Sequence, residues 1–89
     1  MEYYINLEGI RTKKDLHEKL AQVLPLPEYY GANLDAFYDI LSEYGSDWTL
    51  IFDNTEEFEQ ACPVYFANLK KLCARAQEEL ENLWIQFGA

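Results

Sequence analysis

The sequence predicts an α/β fold, a small three-stranded, mostly parallel sheet flanked by about four helices. Three observations carry that reading. Short β-rich runs stand at the start, middle and end of the chain. The segments between them repeat apolar residues with helical spacing, so strand and helix alternate and the connections are crossovers rather than hairpins. The chain has 89 residues, room for a single domain over 1–89 that buries about 60–70% of the surface its unfolded form exposes.

The elements follow in order. Residues 3–7, Tyr-Tyr-Ile-Asn-Leu, form a short strand that breaks at Gly9. Thr12 then caps a helix to about Leu24, in which Leu16, Leu20, Val23 and Leu24 are spaced for one buried face. Pro25 and Pro27 stop it. After a Tyr29-Tyr30-Gly31 turn, Asn33 caps a helix over 34–44 that buries Leu34, Phe37, Ile40 and Leu41, and Gly45 suits its exit. A second strand spans 48–52. Asn54 or Thr55 starts a short helix with Glu56 and Glu57 in its favourable first turn, and Pro63 opens a longer one. Phe66, Leu69, Cys73, Ala76 and Leu80 give that last helix its core stripe. Residues 83–87, Leu-Trp-Ile-Gln-Phe, are almost continuously apolar, which predicts a strand covered by helices on both faces.

Composition narrows the function. The formal charge is -9, yet 49% of residues are apolar and 16% aromatic, so the chain is a folded acidic protein and not a disordered tail. That charge disfavours nucleic acid and anionic membranes and favours a basic protein partner. The N-terminal Met1-Glu2-Tyr3-Tyr4-Ile5 lacks the pattern of a secretory signal, and no apolar run reaches the roughly 18 residues of a membrane span, so a cytoplasmic location is expected. With two cysteines, Cys62 and Cys73, no CxxC and one histidine, no zinc site, redox motif or cofactor is expected. If both cysteines lie on the helix after Pro63 they are about 16 Å apart, too far for a disulfide.

Charge is unevenly placed. Between Lys19 and Lys70 there is no lysine or arginine, while nine carboxylates fall in that interval. The 34–44 helix carries Asp35, Asp39 and Glu43 four residues apart, with Tyr38 and Ser42 alongside. Each like-charge pair at that spacing costs about 0.2–0.5 kcal/mol, and Glu43 faces the wrong end of the helix dipole, so helix stability does not explain the pattern. A solvated acidic face has the same spacing. Missing countercharges in the neighbouring loop and helices favour an interface that meets lysine and arginine over that reading. Tyr29, Tyr30, Tyr38 and Tyr44 bracket the carboxylates and offer large contact area with few torsions to freeze. Tyr30 reads as a residue that closes the core, Tyr29 and Tyr38 as exposed contacts. Gly31 supplies either a positive φ or a close backbone approach.

Clustered carboxylates also suit acid–base chemistry or a Mg²⁺ or Ca²⁺ site. Nucleophiles are few, however: Ser42 and Ser46 stand near the end of the acidic helix. His17, amid Asp15, Glu18 and Lys19, reads as a partly exposed helical residue, and no spacing joins it to a serine. A binding protein is expected, not an enzyme. A structural module with incidental acidity would have no tight basic partner.

The stretch Leu26-Pro27-Glu28-Tyr29-Tyr30-Gly31-Ala32-Asn33-Leu34-Asp35-Ala36-Phe37-Tyr38-Asp39 resembles the signature of barstar-family ribonuclease inhibitors. A weaker likeness runs upstream through Ile5-Asn6 and Ile10-Arg11 to Asp15-Leu16-His17, and the later half is similar in pattern only. The resemblance implies a three-stranded parallel sheet with packed helices. It also implies an intracellular inhibitor, monomeric until it forms a 1:1 complex with a basic, secreted ribonuclease of the barnase type. Asp39 would stand in for an RNA phosphate and Asp35 would engage basic groups beside it. Tyr29, Gly31 and Asn33 would fill the pocket mouth and Tyr38 would pack at the rim, with Ser42, Glu43 and Tyr44 completing the contact surface. The chain departs from the pattern at Tyr38, where tryptophan is usual, at Tyr44, at Ala32, which removes an acid, and at Arg75. Arg75 falls at or next to a position where the last helix commonly contributes a carboxylate, with Glu78 and Glu79 one turn on. These departures keep an alternative in view, an immunity protein or antitoxin against another cationic toxin such as a tRNase or DNase.

Overall fold

Three parallel strands in the order β1–β2–β3 make one sheet. The computed structural model describes residues 1–88. In chain order the elements are β1 (Glu2–Asn6), α1 (Lys13–Val23), α2 (Leu34–Tyr44), β2 (Thr49–Asp53), α3 (Glu56–Ala61), α4 (Pro63–Glu79) and β3 (Trp84–Phe87). This is the α/β architecture expected from the sequence, with each strand displaced by about one residue from its expected limits.

Capping explains most of the helix boundaries. The Thr12 side chain accepts from the Asp15 N–H, and Leu24 closes α1 through a backbone bond to Leu20. Asn33 caps α2 in the same way through Ala36, and the Gly45 N–H donates to Leu41. Thr55, not Asn54, stands at the start of α3. Asn54 has a left-handed φ of 53° and donates from Nδ2 to Asn6 Oδ1 instead. Pro63 begins α4, where its missing N–H costs nothing.

The register sets Tyr3, Leu50 and Ile85 in one row across the sheet, and Ile5, Phe52 and Phe87 in the next. These side chains point towards the helices and merge with Leu16, Leu20, Phe37, Ile40, Leu41, Phe58, Phe66, Leu69, Cys73 and Ala76 in one cluster. Phe52 and Phe87 stack with centroids 4.7 Å apart. Each large apolar side chain so buried contributes about 1.5–3 kcal/mol.

The expectation that helices cover both sheet faces does not hold. On the other face, Glu2, Thr49 and Trp84 form one row and Tyr4, Ile51 and Gln86 another. Tyr4 is exposed and Trp84 is 63% exposed. The apolar run of β3 therefore conceals ordinary alternation, Ile85 in and Trp84 and Gln86 out. Cys62 and Cys73 are free thiols, the first just outside α4 and the second buried within it. Burial pushes the Cys73 thiol up to about 12, which makes it unreactive. Among the described residues no helix is long and apolar enough to cross a membrane.

Candidate functional site

Burial of Phe37, Ile40 and Leu41 against the core fixes how α2 is rotated. With about 100° between successive residues, that leaves Asp35, Asp39, Ser42 and Glu43 facing solvent. The preceding loop folds back beside the helix. Tyr29, Tyr30, Gly31, Ala36, Asp39, Ile40 and Glu43 line an open cleft of about 280 Å³, with an apolar floor and carboxylates along one side. Tyr29 stands at its rim, 75% exposed. Its hydroxyl adjoins that of Tyr44 and is the chief cause, ahead of Glu43, of a raised Tyr44 pKa.

The loop has a specific local geometry. The Tyr30 N–H bonds the Pro27 carbonyl at 3.1 Å, and Asn33 Nδ2 donates to the Gly31 carbonyl at 3.2 Å while Oδ1 accepts from Ala36 at 2.7 Å. Positive φ belongs to Ala32, at 54°, and not to Gly31. Gly31 is needed for the close approach: a Cβ there would lie 3.2 Å from the Ala36 Cβ.

None of Asp35, Asp39 and Glu43 takes part in the ion pairs of the described residues, which join Arg11 to Glu57, Lys14 to Glu18 and Arg75 to Glu79. Asp35 does share an open groove with Lys71 and Arg75 of α4, so the fold places cations at one border of a face whose own sequence interval has none. Among the described residues no three His, Cys, Asp or Glu side chains converge to hold a metal ion.

Tyr38 differs from its expected place as a free contact. Its ring is half-buried under the Arg75 guanidinium, 4.4 Å from the centroid, and its hydroxyl donates to Glu79 Oε2 at 2.6 Å. That bond is the main reason its pKa is raised. Arg75 in turn reaches Glu79 Oε1 at 3.3 Å. Glu79, rather than Glu78, is thus the α4 carboxylate drawn to this face, and it offsets the Arg75 charge. The Ser42 hydroxyl donates to the Tyr38 carbonyl at 3.0 Å, a local bond that occupies it.

His17 is the clearest correction. It is 2% exposed, with Nδ1 2.6 Å from the Tyr30 hydroxyl and Nε2 2.7 Å from that of Tyr65. In a neutral imidazole one nitrogen donates and the other accepts, so both are satisfied. Burial lowers its pKa, and burial likewise drives the Tyr30 phenol far above its ordinary value, with Tyr65 adding to the effect. No serine shares this arrangement. Tyr65 went unnoticed in the sequence, although its spacing of four from Leu69 puts it on the buried stripe.

All nine expected contact residues, Tyr29, Gly31, Asn33, Asp35, Tyr38, Asp39, Ser42, Glu43 and Tyr44, therefore lie on the loop and α2. Asn33 and Ser42 are engaged in holding the backbone. A family model described as Barstar (barnase inhibitor) matches residues 1–88. The chain belongs to the barstar family. Beyond the family match, it is 35% identical over 68 residues, 75% of each chain, to a Bacillus subtilis (strain 168) protein named "Putative ribonuclease inhibitor YrdF". Membership of that family agrees with the three-stranded parallel sheet, and the stretch Leu26–Asp39 contributes to the cleft and its acidic border.

Proposed function

We propose that this barstar-family chain is an inhibitor of a secreted ribonuclease of the barnase type and acts inside the producing cell by stoichiometric occlusion without turnover. The observation that carries the reading is the row Asp35–Asp39–Glu43, without ion-pair partners among the described residues, beside a tyrosine-lined cleft. A cleft that binds RNA is cationic, and carboxylates entering it occupy places otherwise taken by phosphates. Asp39 is the central mimic, Asp35 and Glu43 flank it, and Tyr29 and Tyr44 supply apolar contact. Glu79, held by Tyr38, extends the negative edge. Acidic charge accelerates the encounter and desolvated charge pairs slow departure, a generalisation to which the barnase–barstar pair itself contributed.

The Arg75–Tyr38 stack supports a second reading, in which the same face meets a different cationic toxin such as a tRNase or DNase. The deciding experiment titrates the protein into a guanyl-specific microbial ribonuclease while cleavage of a fluorogenic RNA is followed. Loss of activity at a one-to-one ratio, relieved by Asp39→Ala, is expected. Full activity at excess protein would move the target to another toxin.

A further inference from the structure

We propose that His17 is a positioning residue for the recognition face: through Tyr30, with Tyr65 as its anchor on α4, it locks the turn that presents Tyr29, Gly31 and Asn33. The inference rests on the inhibitory role proposed above only for what the loop recognises, not for the lock itself.

Three segments meet at this imidazole. His17 comes from α1, Tyr30 from the loop 13 residues on, and Tyr65 from α4, 48 residues away. Packing alone would not require them, because an aliphatic side chain fills such a site without polar groups that must be matched. The loop, moreover, has something to be held against. Ala32 sits at a φ of 54°, a conformation that a residue with a Cβ keeps only when its surroundings enforce it. Asn33 fixes the turn from the helix side, and Tyr30 is the side chain that fixes it from the core. The groups facing the ring are the phenols of Tyr30 and Tyr65, with the Lys13 ammonium 4.9 Å above the Tyr65 ring and Cys62 beside Tyr65. None is a carboxylate. A protonated imidazole would have no countercharge there, and the hydroxyl that donates to it would lose its acceptor.

The test uses the full chain with Tyr30→Phe, Tyr65→Phe and His17→Gln, reading amide exchange residue by residue and dissociation from the barnase-type ribonuclease. In all three variants, exchange at the Tyr30 and Ala36 amides, which bond the Pro27 carbonyl and Asn33 Oδ1, is expected to quicken about five- to tenfold, the scale of one lost buried hydrogen bond, while amides of β2 keep their protection. Dissociation should quicken by a similar factor with association little changed, because the carboxylates remain. Protection factors, which remove the intrinsic slowing of exchange in acid, should show the same loosening in the wild type at about pH 5.5 relative to about pH 7.5, and none in His17→Gln. Unchanged exchange at the Tyr30 and Ala36 amides, or a uniform loss of protection across the molecule, would overturn the proposal. If His17→Gln fails to fold, the two phenylalanine variants, each lacking one oxygen, decide it. A wild type that binds no ribonuclease would sink the proposed function while leaving the exchange result to judge the lock.

Discussion

Asp39 and Glu57 carry the same charge in different surroundings. Glu57 accepts from the Gly9 N–H at 3.0 Å and pairs with Arg11; the Arg11 hydrogen bond, followed by that of Gly9, holds its carboxyl below the ordinary range. Asp39 is exposed and takes part in none of the ion pairs among the described residues. Asp39→Ala is therefore expected to weaken the ribonuclease complex by at least about tenfold and leave stability unchanged, whereas Glu57→Ala lowers stability and spares the complex. Equal losses of affinity, measured by titration calorimetry, would show that α2 is not the binding face. Residue-scale reading of the sequence failed where chemistry and spacing disagreed. His17 lies among Asp15, Glu18 and Lys19, which suggested solvent, but it also precedes Leu20 by three and Leu24 by seven, the spacing of the buried stripe. Tyr38 looked exposed because its cover, Arg75, is 37 positions away.

At the scale of elements, α2 was the most legible, and its limits matched because three independent signals agree: the Asn33 cap, the apolar spacing of Phe37, Ile40 and Leu41, and the Gly45 stop. Asn33 has a double duty that substitution separates. Asn33→Ala should lower stability by about 1 kcal/mol through loss of the cap, measured by urea unfolding, while Asn33→Asp keeps the cap and disturbs only the Nδ2 bond to Gly31 and the contact surface. A larger loss from Asp than from Ala would contradict the capping role. In the interior of α2, Phe37→Ala should cost about 3–5 kcal/mol, a large part of what a small domain has, and melt the acidic face with the rest. β3 was misread because Trp84 is apolar yet 63% exposed. Gln86 was the signal that one face is wet.

For the whole molecule, acid is the destabilising direction. The folded pKa of His17 is lowered from the usual 6.5, so its contribution is complete above that value. It is lost as pH falls below 6.5, because the unfolded chain takes the proton first, at a rate of up to about 1.4 kcal/mol per pH unit. Glu57, also lowered, from 4.5, adds its loss only below that value. Thermal melting followed from neutral to mildly acid pH should show a decline beginning near pH 6.5, and His17→Gln should abolish that first phase. Association with the ribonuclease should slow markedly as salt rises, because a net charge of -9 acts over a screening length of about 8–10 Å. A salt-independent rate, measured by stopped flow, would remove steering from the account.

The register of the sheet also governs when the molecule can exist at all. Glu2 pairs with Thr49 and Thr49 with Trp84, separations of 49 − 2 = 47 and 84 − 49 = 35 residues, so no strand has a neighbour close by in the chain. Long loops must close before any ladder rewards them, which makes such a topology a slow folder beside a helical bundle of the same size. On the ribosome β1 waits for the chain to pass Asp53 before it has a partner, and β3 is nearly the last segment made. The acidic helix is encoded locally and capped by its own neighbours, but the Tyr65 hydroxyl that holds His17 and the Glu79 carboxylate that holds Tyr38 arrive only with the final third. A chain cut short in that stretch would carry every expected contact residue and lack the scaffold that aims them.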